Sequence, residues 1–197
     1  MNFLAHLHIA DDCQSSLLGN LLGDFVKGDP YRYYPTDIAD GIRLHRWVDS
    51  FTDRHPATEL SKRYFSDGTR RYAGIALDMM WDHFLAKRWP QYSDLSLEQF
   101  CRQAQQSISQ EHQLCQPQRL PERYLAVSAH MWRGCWLTSY RELDNIQLAL
   151  ERMSLRSPRM APLANCFDVL EQHYSVFSEQ FDILYQQVLF EAQQRPI

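Results

Sequence analysis

Two carboxylates, Asp78 and Asp82, stand four residues apart in a stretch, Tyr72 to Trp89, whose apolar residues cover nearly the whole circumference of a helix. Ile75, Leu85 and Trp89 share their stripe. Like charges at this spacing repel, and a buried charge without a partner costs several kcal/mol. The pair therefore calls for compensation. A divalent metal ion supplies it most directly; the alternative is a pair of core Asp residues satisfied by Arg or by backbone amides. His83, next in sequence, points about 100° away around the same helix but within reach of a shared cavity.

A second polar face lies upstream. Leu44, Trp47, Val48 and Phe51 form an apolar stripe, and His45, Asp49, Thr52 and Asp53 gather beside it. His45 and Asp49, at i and i+4, present an imidazole and a carboxylate to one point, which serves a metal or a general base oriented by an acid. In the run GNLLGDFVKG, Asp24 falls at the margin of the arc formed by Leu17, Leu18, Leu21, Leu22 and Phe25. Gly19 and Gly23 are poor helix formers, so their i, i+4 spacing suggests close approach by a neighbouring helix or ligand. His6 shares a helix face with Phe3, Leu4 and Leu7, a setting in which a satisfied core histidine is the commoner case. His8 lies off that face, and His112, His130 and His173 have no acidic or His partner at a telling spacing.

Oxygen-rich ligands with one or two imidazoles suit manganese, magnesium or iron better than a thiolate-bound structural zinc. Such an ion polarises a phosphoryl oxygen and lowers the pKa of bound water, which is hydrolytic chemistry. No P-loop, G-x-S-x-G elbow or Rossmann fingerprint competes, and the E-x-x-H spacing of di-iron bundles is absent.

The elements that must position these groups are helical. The chain of 197 residues is 45% hydrophobic with seven glycines, which favours an all-α, single-domain helical bundle spanning 1–197 over a turn-rich β fold. Apolar periodicity predicts helices over about 2–10, 16–27, 37–53 and 70–88. A fifth starts at Ser96, whose spacing to Gln99 fits a capping box. Another runs from Pro121 to Trp136, and Ser139 with Glu142 repeats the capping spacing ahead of one reaching Met153. Leu163, Phe167, Leu170, Tyr174, Phe177, Phe181, Leu184 and Val188 then alternate steps of four and three, as a bundle seam requires.

Five cysteines, odd in number and never arranged as C-x-x-C, read as reduced thiols, and neither a signal peptide nor a membrane-length apolar run is present. A cytoplasmic protein without membrane contact is expected. The net charge of −4 argues against nucleic acid as partner. A local basic patch nevertheless runs through Arg54, Lys62, Arg63, Arg70 and Arg71, which alone reads as solvated surface.

The segments MNFLAHL, GNLLGDFVKG, GIRLHRWVDSFTDRHP, RRYAGIALDMMWDHFL and SYRELDNIQLALERMSLR, in this order, resemble the acyl carrier protein phosphodiesterase family over most of the chain. That family is similar to the HD-type metal phosphohydrolases, although the doublet here is reversed, Asp82-His83. The resemblance implies an HD-like helical fold and a manganese-dependent site, with magnesium or iron as the other ions. It also implies hydrolysis of the phosphodiester joining 4′-phosphopantetheine to a serine of holo acyl carrier protein.

On this basis the expected metal ligands are Asp24, His45, Asp78, Asp82 and His6. Asp24, Asp49 and His83 are expected to act in catalysis, Asp49 by orienting His45. Arg43, Arg46, Lys62, Arg63, Arg70 and Arg71 would hold phosphate and the acidic carrier protein. Two other readings remain open at this stage: hydrolysis of a nucleotide or other small phosphodiester, and a non-catalytic helical scaffold for an acidic partner.

Overall fold

The computed structural model describes residues 1–115 and 120–195, and among these the chain forms α-helices and short 3-10 turns with no strand. The helices are α1 (Phe3–Asp12), α2 (Leu17–Leu22), α3 (Thr36–Arg54), α4 (Pro56–Lys62), α5 (Ala73–Lys87) and α6 (Leu97–Leu114). After the undescribed stretch come α7 (Glu122–Arg133), α8 (Trp136–Ser139), α9 (Leu143–Ser154), α10 (Cys166–Gln172) and α11 (Tyr174–Gln193). They pack around one hydrophobic core, and among the described residues no helix is long and apolar enough to cross a membrane.

Helix α5 is the axle of the molecule, as its apolar circumference requires: Ala76, Leu77, Met80, Trp81, Phe84 and Leu85 are all buried, and α1, α4, α9, α10 and α11 pack around it. Phe181 of α11 stacks along Trp81, and Phe177 and Tyr185 continue the seam expected of the last segment. Helices α2 and α3 make the closest crossing. A Cβ on Gly19 would lie 2.9 Å from the Cα of Gly41, so the two backbones touch where both residues lack side chains. Gly19 thus serves the close helix approach that its spacing suggested.

Several boundaries differ from the expected ones, each for a local reason. Helix α2 stops at Leu22 rather than near Lys27, because the amides of both Phe25 and Val26 turn back onto the Leu22 carbonyl. The segment expected to begin at Arg70 opens with a 3-10 turn over Arg70–Tyr72 before α5. The basic stretch contains a helix not expected from sequence, α4, which starts on Pro56 and is capped by the His55 ring accepting from the Ala57 amide at 3.1 Å. The Ser96–Gln99 capping box forms in full, whereas Ser139 donates its hydroxyl to the Trp136 carbonyl and does not cap α9. The final seam is broken at His173, where the ring packs on Tyr64 with centroids 4.6 Å apart.

Candidate metal centre

Three elements meet at one mouth. Helix α1 contributes His6, α3 contributes His45 and Asp49 one turn apart, and the turn after α2 contributes Asp24. The His6 and His45 rings stack with centroids 3.8 Å apart and planes 20° from parallel. His6 Nε2 lies 3.0 Å from Asp49 Oδ1, and His45 Nε2 lies 3.2 Å from Asp49 Oδ2 and 3.5 Å from Asp24 Oδ1. Both imidazoles are buried, while the side chains of Asp49 and Asp24 are 39% and 53% exposed. The cluster is therefore walled by histidines at the back and opens to solvent through its carboxylates.

The fold holds these side chains by contacts from far along the chain. Asp82 of α5 receives the Leu4 amide on Oδ2 at 2.8 Å and the Ala5 amide on Oδ1 at 3.0 Å, capping the first turn of α1 and fixing the helix that carries His6. Glu111 of α6 caps α2 in the same way. It accepts the Ser16 hydroxyl and the Leu17 and Leu18 amides at 3.1 and 3.4 Å. Gly23 supplies the space: a Cβ there would collide with the His45 ring, which lies directly against the end of α2.

Burial works against charge on His45, but the carboxylates of Asp24 and Asp49 outweigh it and raise the ring to about 9. His6 goes the other way, lowered to about 4 by burial and by the charge of the stacked His45. One proton thus belongs to the pair and rests on His45. Burial disfavours ionisation of Asp49 and Asp24 too, yet the imidazoles hold both carboxyls below the usual range.

The residues fit a divalent cation. His6, His45 and Asp49 each offer one ligand atom, all within 4.8 Å of one another. His45 Nε2 is buried and faces two carboxylates without an aligned hydrogen bond to either. Once its proton is displaced, a buried ring nitrogen so placed is free to bind an ion, and nitrogen with carboxylate oxygen is a donor set for manganese, magnesium or iron.

The other residues expected at the site divide. Asp78 lies near it: its Oδ1 binds the α-amino group of Met1 at 2.7 Å, and that amine is also 3.7 Å from Asp49. Asp82 does not join the cluster, since both its oxygens are taken by α1 amides and it is fully buried. Backbone amides thus satisfy Asp82 but not Asp78, which meets the Met1 amine. His83 turns elsewhere, bonding the Tyr140 carbonyl at 2.8 Å and the Tyr174 hydroxyl at 2.9 Å. His8 sits in a buried aromatic cluster against Tyr185 and Trp89.

The basic residues also differ among themselves. Arg46 donates to the carbonyls of Gly28 and Val26 at 2.7 and 2.8 Å. Lys62 pairs with Asp53 at 3.2 Å, Arg43 reaches the Tyr31 hydroxyl at 3.3 Å, and Arg71 lies over the Tyr72 ring. Arg63 and Arg70 are exposed. Asp49, expected in catalysis beside His45, stands at the centre, and its H-x-x-x-D spacing was the sequence signal. The capping roles of Asp82 and Glu111 had no local signal.

Comparison with known proteins gives the chain its relatives. The sequence profile described as acyl carrier protein phosphodiesterase matches residues 1–188. The chain is 47% identical to the acyl carrier protein phosphodiesterase of Pectobacterium atrosepticum over 188 residues, covering 95% of this chain and 93% of that one. It is 40% and 42% identical to proteins of the same name from Enterobacter sp. and Yersinia pestis, each over the full length of both chains. No solved structure matches it. The extent of these matches, through every segment that builds the His6, His45, Asp49 and Asp24 cluster, shows that the chain belongs to the acyl carrier protein phosphodiesterase family.

Proposed function

We propose that the chain hydrolyses the phosphodiester between 4′-phosphopantetheine and the serine of holo acyl carrier protein, releasing apo-protein and free 4′-phosphopantetheine. The observation that carries this reading is the convergence of His6, His45, Asp49 and Asp24 at an open mouth, in a member of this family. His6, His45 and Asp49 would hold a divalent ion, manganese in our reading with magnesium and iron as the other candidates, and Asp24 would complete the set. When bound, such an ion polarises a phosphoryl oxygen and lowers the pKa of water.

The protein's own groups do the rest. Asp24, the most exposed of the four and held ionised, faces the side from which a phosphodiester arrives and accepts a proton from the attacking water. As the water oxygen bonds to phosphorus, the bond from phosphorus to the serine oxygen breaks, that oxygen takes a proton from solvent on the open side, and Asp24 returns its own proton to solvent. Stacking of His6 on His45 excludes water from the rear of the cluster, so the attack comes from the open side. We read the arrangement as a variant of HD-type chemistry in which His45 and Asp49 stand one helical turn apart instead of adjacent. The exposed Arg43, Arg63, Arg70 and Arg71, together with Lys62, attract an acidic carrier protein, and the reaction belongs in the cytoplasm, where cysteines stay reduced.

The test is incubation with holo acyl carrier protein and manganese, read by mass. The carrier should lose its phosphopantetheine arm, faster at low salt than at high. Retention of the arm would overturn the reading, and turnover of a small phosphodiester with little dependence on salt would favour a small substrate over the whole carrier protein.

A further inference from the structure

Asp24 belongs to no regular element. It lies in the turn that leaves α2, beyond Leu22, and more than half of its side chain is in solvent. A carboxylate on a free loop would sample many positions, and ordering it on ion binding would cost conformational entropy. Two anchors remove that freedom. On one side the Leu22 carbonyl accepts from the Phe25 and Val26 amides at 2.9 and 3.0 Å. On the other, the half-buried Arg46 spans the loop, Nη1 donating to the Gly28 carbonyl and Nη2 to the Val26 carbonyl. Gly28, at φ +75°, gives the reversal that turns its carbonyl toward Arg46.

Arg46 directly follows His45 on α3. The residue that anchors the Asp24 loop and the ring that Asp24 faces therefore rise from adjacent positions of one helix. We propose that Arg46 is a positioning residue for the hydrolytic site, fixing the Asp24 carboxylate against His45 by clamping the loop carbonyls at Val26 and Gly28, and is not a contact for substrate phosphate. Both terminal nitrogens already donate to backbone oxygens, and the planar fork spans two carbonyls two residues apart, which a lysine ammonium cannot reproduce. Charge alone does not define the role; geometry does. This inference rests on the proposed metal hydrolysis at Asp24, and the test below separates the two.

Three measurements on the full chain decide it. In metal-free Arg46→Ala, hydrogen exchange at the Phe25 and Val26 amides should rise about tenfold or more, because the loop loses one of its two anchors. In the same variant manganese affinity and kcat should each fall about 10- to 100-fold, with KM for holo acyl carrier protein within about twofold of wild type. Arg46→Lys, which keeps the charge but not the fork, should resemble Arg46→Ala. A raised KM with kcat preserved, wild-type behaviour of Arg46→Lys, or unchanged exchange at Phe25 and Val26 would each overturn the proposal. Absence of manganese, magnesium and iron binding in the wild type would instead sink the metal reading, leaving exchange and the kcat-against-KM pattern to judge Arg46.

Discussion

The ring of His6, on the first helix, lies flat against the ring of His45, on the third, 3.8 Å away, and both bring a nitrogen to the carboxylate of Asp49. If these three side chains hold the ion, His45→Ala and Asp49→Asn should each lower manganese affinity and phosphopantetheine release by about 100-fold or more, with the fold retained. Calorimetry with manganese and a mass assay on holo carrier protein report the two quantities. Wild-type affinity in either variant would remove that residue from the ion's ligands.

Gly23 makes room for His45. Gly23→Ala should force the ring or the end of α2 to move, costing about 1–3 kcal/mol of stability as overpacking does, with loss of ion affinity. Gly68→Ala, where a Cβ would meet nothing within 4 Å, is the control. Denaturant melts of both variants give the comparison, and equal stability would mean that the contact between His45 and α2 is looser than described.

Asp82 should behave as a cap on α1. Its replacement by Ala leaves the Leu4 and Ala5 amides without partners in a buried setting, so stability should fall by about 1–3 kcal/mol or more. Where the variant is still folded, manganese affinity should stay within a few fold of wild type. A variant of unchanged melting temperature that had lost ion binding would make Asp82 a ligand, as its place beside Asp78 in the sequence suggested.

The stacked imidazoles set a pH dependence for the metal-free protein. His45, raised from 6.5 to about 9, contributes stability that is complete below pH 6.5 and lost as pH climbs through 9. His6, lowered from 6.5 to about 4, contributes stability present above 6.5 and lost as pH falls toward 4. Their joint contribution peaks near pH 6.5 and should vanish from the pH–stability profile of the double His6→Ala, His45→Ala variant. An ion must displace the proton on His45, so manganese binding at pH 7 should release a proton and tighten as pH rises toward 9. Calorimetry in buffers of different ionisation enthalpy detects that proton, and heat independent of buffer would contradict the assignment.

The all-helical class was legible in the residues alone, because apolar spacing near 3.6 residues leaves few other ways to bury those faces, and the full apolar girth of 73–87 marked α5 as central. The sequence also paired His45 with Asp49, since four residues is one helical turn. The family motifs brought Asp24 and His45 toward the same site. Tertiary structure alone decided the part each carboxylate plays. Asp78 and Asp82 look alike on a helical projection, yet one meets the amine of Met1 and the other two amides 77 and 78 residues away, at the start of α1. Helical periodicity tells which side of a helix a carboxylate is on, but the donor it meets there comes from a different part of the chain, and only packing brings the two together.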